Sequence, residues 1–418
     1  MPWRQCDGTV VRLAMDRADV IIFGGGLAGL TLASALDSSG LSAIVVDPAD
    51  PVGRSTQAFD GRTTAVSSSS MRMLETIGVT DHLPAPGCPI RMIQVADGLE
   101  PGGLAFDPED DEPLGVMHEN RHLRAALQAR AEAGRNLWLL WKSTPQTVDR
   151  GPHGVVVSLE DGRKLSAPIL AAVDGRNSPT REAAGIPMAR WKYDHMAVVS
   201  TLGHERSHHN IAYEIFYPGG PFALLPMTDD EKGHRSAIVW SVPRDDAEGW
   251  MSLSDEQFAA EAQATMGGFL GKIELAAPRS TYPLGFHHAA RITDQRLALV
   301  GDAAHAIHPI AGQGLNLGLR DVAALAQVLV EGSRLGLDLG DKQLLDRYQR
   351  WRSLDALSVA FATDSLTRVY AIPGKTASAV RRFGMGMIDR LSPLKNRMMS
   401  EARGTSGELP LLLRGLPI

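Results

Sequence analysis

Apolar positions change their period twice between Ala18 and Asp50. Val20–Phe23 is an unbroken apolar run, the stretch from Leu27 to about Leu36 carries apolar and small residues at helical spacing, and Ala43–Val46 is a second run ending at Asp47. Short continuous apolar runs predict strands buried on both faces, as in a parallel sheet. Gly24, Gly26 and Gly29 follow the first run with GxGxxG spacing, and Gly40 stops the helix. The pattern predicts a strand, glycine turn, helix, strand and acid, which is a βαβ unit.

Two later runs end the same way. "KLSAPILAAVDGRNS" closes on Asp174-Gly175, and "QRLALVGDAAH" closes on Gly301-Asp302. Between them "HMAVVSTLGHE", "NIAYEIFYPGGPFALLPM" and "RSAIVWSVP" are rich in β-branched and aromatic residues split by Gly, Pro and Asp, and predict an antiparallel sheet over about 191–285. Leu315, Leu319, Val322, Ala326 and Leu329 form one apolar helical stripe. From 340 onward the chain reads as helical. The expected fold class is α/β (α+β overall): a Rossmann-like domain from 15–85, 111–190 and 286–340, an inserted antiparallel-sheet substrate domain from 86–110 and 191–285, and C-terminal helices over 341–418. Residues 1–14 read as an extension without a fold role, and Met15 is a candidate start.

Length and composition narrow the class. The 418 residues suit two or three domains, and 44% apolar with 22% charged residues is ordinary for a globular protein. A net charge of −6 supplies no basic field for nucleic acid. Cys6 and Cys88 make neither a disulfide framework nor a metal spacing, which predicts a reducing, cytoplasmic setting. No apolar run reaches the ~18 residues of a spanning helix, and the N-terminus lacks a signal core.

The glycine turn carries the first candidate chemistry. Gly24, Gly26, Leu27, Ala28 and Gly29 would bring backbone amides and a helix N-terminus to a pyrophosphate, and Asp47 would accept from an adenosine ribose. An acid there repels a 2′-phosphate, so the unit favours FAD or NAD over NADP as the held dinucleotide. The second and third acid–glycine elements favour FAD, whose ribityl and flavin ends need further parts of the chain.

The ordered triplet of GxGxxG, "DG" and "GD" resembles the FAD-dependent aromatic monooxygenases related to para-hydroxybenzoate hydroxylase. "HPIAGQGLNLGLRD", "DGRTTAVSSSSMRML" and "ELPLLLRGLPI" resemble the ubiquinone-biosynthesis hydroxylases (2-polyprenylphenol hydroxylases) among them, and the likeness runs from about residue 18 to the end. The resemblance implies that Gly301 and Asp302 hold the FAD ribityl chain, that Pro309 lies near the flavin, and that Gly312, Gln313 and Gly314 offer amides to its pyrimidine edge, with Leu315 and Asn316 adding contacts. It implies FAD or NAD(P)H contact for Asp174 and Arg176, and offers Arg62, Asn120 and Arg124 as further flavin-site candidates. The implied reaction is ring hydroxylation of a polyprenyl phenol by NADH or NADPH and O2 through a flavin hydroperoxide, with NAD(P)H bound only transiently. Such a substrate brings in peripheral contact at the inner membrane and a quinone-biosynthesis complex. No residue is assigned a proton-transfer role.

"FYPGGPFALLP" is the candidate substrate wall, with Phe222, Leu224 and Pro226 facing the ring or the prenyl tail. His305 reads as a structural histidine, and His308 lies beside it. His118 and His122 stand four residues apart, and His204, His208 and His209 read as a solvated loop; no metal is expected. "AVRRFGMGMIDRLSPLKNRMM" suits either a packed helix or an amphipathic surface. Two rivals keep the flavin: a reductase or epoxidase of another isoprenoid, and a non-catalytic FAD-binding scaffold.

Overall fold

The computed structural model describes residues 17–51, 59–99, 103–108, 110–306, 313–353 and 392–418. Its first sheet runs Leu137–Trp141, Ala43–Asp47, Val20–Phe23, Ile169–Ala172 and Leu297–Leu299, all parallel, with Thr293–Asp294 antiparallel at the edge. The chain adds strands outward on one side of Val20–Phe23 and then on the other, so the connections diverge between Val20–Phe23 and Ile169–Ala172. Ligands bind open α/β sheets in the crevice beyond the carboxyl ends at such a point. Val20, Ile21, Ile22 and Ile169 to Ala172 are fully buried, as runs without alternation require.

Among the described residues the second sheet has nine strands. Its main order is His305–Ala306, Ser280–Ala289, Met188–His204, Gly233–Pro243, Gly220–Asp230, Ile211–Tyr217, Met92–Asp97 and Leu104–Phe106, and Ile273–Leu275 also pairs with Met188–His204. The limits expected at 191 and 285 fall inside strands Met188–His204 and Ser280–Ala289. The latter pairs with His305–Ala306 and so carries the second sheet directly to the Gly301-Asp302 turn.

Each face of this sheet is covered in part. Phe222, Leu224, Ile238 and Trp240 pack with Phe258 and Ala262 of the helix Asp255–Met266. Ser254 and Gln257 close a capping box at the start of that helix, and Gly267 at φ 76° ends it. On the opposite face Ala212, Phe216, Met227 and Ala237 meet Ala65 and Met117, with Met398 and Met399 of the helix Ser392–Ala402 alongside.

The helix Gln313–Arg334 runs through the first core. Leu319, Val322, Ala326 and Leu329 are buried as the stripe requires, but so are Leu317, Ala324, Leu325, Val328 and Val330. This helix is enclosed all round rather than lying on a surface with one face inward. Leu412 and Leu413 of the C-terminal segment join the same core. Among the described residues no helix is long and apolar enough to cross a membrane.

Candidate functional site

The glycine turn sits at the crevice. A Cβ on Gly24 (φ +106°) would overlap the Val173 carbonyl, and one on Gly29 would overlap the carbonyl of Gly24, so strand, turn and helix close on one another through glycine. Gly26 differs. It caps the helix Leu27–Ser38 with no side-chain hydrogen bond, and nothing lies within 4 Å of where its Cβ would be. The helix N-terminus therefore opens onto space, and its N-cap residue carries no side chain to bond its amides.

Gly25, between the motif glycines, is held by residues that the GxGxxG pattern does not reveal. Its Cβ would lie 2.6 Å from Cη2 of Trp141. Its amide donates to Asp47 Oδ2 at 2.7 Å, and the amide of Ala49 donates to Oδ1 at 2.7 Å. Asp47 thus braces the turn, and a carboxylate with two lone pairs per oxygen keeps acceptor capacity for a ribose.

The other two acid–glycine turns meet this one. Gly301 (φ +61°) would place a Cβ 3.9 Å from Cβ of Ala28 and 3.7 Å from Cα of Gly318. The GxGxxG helix, the GD turn and the Gln313–Arg334 helix therefore converge on one glycine. The carboxylate of Asp302 is exposed, with no hydrogen bond to it among the described residues, while its carbonyl accepts from His287 Nε2 at 2.9 Å if that nitrogen carries the proton. Asp174 Oδ2 accepts from the Thr180 amide at 3.2 Å, but its Oδ1 is buried without a hydrogen-bond partner among the described residues. An orphaned buried acceptor asks for a donor, and a ligand hydroxyl in this crevice is one. Arg176 is exposed, and Gly175 has nothing within 4 Å of its Cβ position. These features fit the adenosine, pyrophosphate and polyol of FAD.

Arg181 was not singled out from the sequence. It is fully buried and donates to the carbonyls of Ala303 (2.9 Å) and Arg176 (3.2 Å), tying the DG turn to the GD turn. Asp321 was also missed, although it ends the "GLNLGLRD" run. Its Oδ2 accepts from the Gly301 amide at 2.9 Å, its Oδ1 from Arg352 Nε at 2.6 Å, and His305 Nε2 lies 2.7 Å away. Burial works against this charge, yet His305 and Arg352 outweigh it and hold the carboxyl down at about 2. His305 is thus a buried structural partner.

Asn316 makes its bonds through the side chain. Its side chain accepts from the Ser67 amide and donates to the Ala65 carbonyl, both at 2.9 Å, and so bonds the strand Thr63–Ser67. Thr64 on that strand donates to Asn120 Oδ1 at 2.6 Å. Gly314 faces open space, and Leu315 is half-buried. Pro309, Gly312 and His308, and the side chain of Gln313, lie outside the described residues. Arg62 pairs with Asp60 at 2.6 Å on the surface, and Arg124 is partly buried on the Asn120–Glu132 helix.

Phe222 and Leu224 are fully buried on the helix-covered face of the second sheet, and Pro226 shares their side by strand alternation. The alternate residues Ala223, Leu225 and Met227 take the other face, where Leu225 and Met227 pack with Ala65 and Met117. The histidine patch also differs: His204 and His208 are buried, and both ring nitrogens of each bond the protein, while His209 is exposed. A recess of about 380 Å3 beside Asp37 and Arg130 lies at the far end of the Leu27–Ser38 helix, where that acid and base already pair at 3.0 Å.

The chain is 42% identical over 415 residues to the ubiquinone hydroxylase UbiL of Rhodospirillum rubrum, covering 98% of this chain and 96% of that one. It is 29% identical to the human mitochondrial ubiquinone biosynthesis monooxygenase COQ6, over 96% of this chain and 95% of that one. The solved p-nitrophenol 4-monooxygenase PnpA of Pseudomonas putida shares the fold, with a TM-score of 0.76 over 94% of this chain and 100% of that one, at 18% identity. The FAD binding domain model matches residues 17–361, and the chain belongs to that family.

Proposed function

We propose that this protein is a monooxygenase that uses FAD, NADH or NADPH, and dioxygen to hydroxylate the aromatic ring of a polyprenyl phenol in ubiquinone biosynthesis. The observation that carries the reading is the meeting of Ala28, Gly301 and Gly318, because it brings the GxGxxG helix, the GD turn and the Gln313–Arg334 helix to one point. Likeness to UbiL and COQ6 supports the substrate class. When bound, FAD supplies the redox chemistry that activates oxygen; the chain binds, orients and excludes water.

In this reading the amides of Gly26 to Gly29 hold the pyrophosphate, and Asp47 takes the ribose. Asp302 takes the polyol, and Asp174 Oδ1 takes a ligand hydroxyl. The N-terminal turn of the Gln313–Arg334 helix, at Gly314 to Asn316, faces the flavin edge where negative charge gathers on reduction. An apolar-tailed substrate draws the protein to a membrane surface and to other quinone-forming enzymes; co-sedimentation with vesicles tests the former. The expectation for "AVRRFGMGMIDRLSPLKNRMM" concerns residues 379–391, which lie outside the described residues, and the start of the helix Ser392–Ala402.

The test is turnover of the flavin-loaded protein with a 2-polyprenylphenol under labelled dioxygen. One labelled oxygen in the ring product is expected, with oxidation of the nicotinamide. An unlabelled reduced product would favour the reductase, and bound FAD without phenol-stimulated oxidation would favour the scaffold.

A further inference from the structure

Glu214 lies on the flavin-side face of the second sheet. In the strand Ile211–Tyr217 the odd positions Tyr213 and Tyr217 pack with the Asp255–Met266 side, while Ala212 and Phe216 pack with Ala65 and Met117. Alternation puts Glu214 with Ala212 and Phe216. Its cross-strand neighbours are Val95 and Ala223, so the acid stands among apolar side chains. It has no hydrogen-bond or ion-pair partner among the described residues, yet it keeps surface that water reaches. A polar group is not left unpaired in such a place without cost.

The register continues the same line across the sheet. Ala223 stands opposite Val239, Val239 opposite Val199, and Val199 opposite Ser280. Val95, Glu214, Val239, Val199 and Ser280 are each partly exposed, whereas Phe222, Trp240 and Val198, one position over, are buried on the other face. Four strands at ~4.8 Å spacing give an apolar floor roughly 14 Å long with one acid near its end. That matches a molecule with one polar hydroxyl and a long hydrocarbon tail.

We propose that Glu214 hydrogen-bonds the ring hydroxyl of the phenol substrate and that Ala223, Val239 and Val199 form the floor under its apolar tail. This assignment rests on the hydroxylase reading above and adds to it the residue that orients the ring. Burial pushes the Glu214 carboxyl up to about 7, so near neutrality it can donate to a phenol oxygen as well as accept from a phenol O–H. Glu214 acts as a positioning residue, holding the ring carbon to be oxygenated over the flavin edge.

The experiment uses the flavin-loaded full chain with two probes, 2-geranylphenol and the tail-free 2-methylphenol. Glu214→Leu raises KM for both by about tenfold or more, the worth of one well-made hydrogen bond. Glu214→Gln keeps donor, acceptor and shape, and stays within about threefold of the parent. A merely structural role would not divide the variants by hydroxyl recognition while bound flavin and Tm stay level. Val239→Phe blocks the floor, so 2-geranylphenol loses about tenfold while 2-methylphenol is spared. Equal KM values for the parent and Glu214→Leu, or equal losses of both phenols in Val239→Phe, overturn the assignment with the hydroxylase reading intact. Binding is also read by calorimetry. A parent that holds FAD and binds 2-geranylphenol through Glu214 but forms no hydroxylated product sinks the hydroxylase reading and leaves the site standing. A parent that binds neither phenol overturns the site.

Discussion

Gly26 and Gly29 stand three residues apart and respond differently to an added side chain. The Cβ of an alanine at 29 would overlap the Gly24 carbonyl, so Gly29→Ala forces backbone to move and costs about 1–3 kcal/mol of stability with or without flavin. At Gly26 the space is open and the backbone is extended at φ −78°, so Gly26→Val folds normally. Its side chain then fills the space before the helix amides, and flavin affinity falls by about tenfold or more, ~1.4 kcal/mol. Apoprotein melting and flavin titration, measured side by side, separate the two; a Gly26→Val protein with parental affinity would remove the pyrophosphate from this turn. The glycine spacing was legible because the chemistry is local. The need for Gly25 was not, because it comes from Trp141 on a strand far downstream. Phe222 and Leu224 illustrate a different limit. A two-residue period tells which side chains share a face, but both faces of this sheet carry buried apolar side chains, so the pattern alone does not say which face Phe222 and Leu224 take.

Among the elements, the Gln313–Arg334 helix fixes the rest. Through Asn316 it holds the strand Thr63–Ser67, and through Asp321 it holds the Gly301 turn and the helical run at 342–353 that carries Arg352. Replacing Asn316 with Leu leaves the Ser67 amide and the Ala65 carbonyl buried without that partner, at about 1–3 kcal/mol. Asp321→Asn is worse: it removes the buried negative charge that faces His305 and Arg352, which predicts a loss of about 3–5 kcal/mol in urea unfolding. A loss below 1 kcal/mol would mean that Arg352 finds another acceptor. The apolar stripe from Leu315 to Leu329 predicted the helix but only one of its buried sides, because the remaining small and apolar residues are also enclosed. Burial all round follows from its place between the glycine-turn helix and the strands, which no single-helix periodicity encodes.

For the whole molecule, acid is the condition that separates the buried charges from the buried neutral groups. Burial, helped by His122, lowers the His118 imidazole from 6.5 to about 4, and its Nε2 has no hydrogen-bond partner among the described residues. The unfolded chain therefore binds a proton between about pH 6.5 and 4 that the folded protein refuses, and stability falls as pH falls through that window. Below it the carboxylate of Asp321 takes over. Its folded value of about 2 lies under the ordinary 3.8, so its contribution is full above about 3.8 and is lost on the way down to 2. Each window has a limiting slope of about 1.4 kcal/mol per pH unit for one proton. His204 and His208 are lowered in the same direction by burial and add to the upper window. Glu214 acts in the opposite sense: its carboxyl, raised to about 7 by burial, takes up a proton on folding between about pH 7 and 4.5 and offsets about one of these histidines, so unfolding free energy measured from pH 7.5 to 3 should decline less steeply than the histidines alone would give. His118→Phe flattens the decline between 6.5 and 4 and leaves the lower part unchanged, whereas Asp321→Asn lowers the whole curve and removes its fall below 4. If His118→Phe keeps the parental slope above pH 4, the proton is refused at His204 and His208 instead, and the acid sensitivity belongs to the second sheet rather than to the strand that leads into the Asn120 helix.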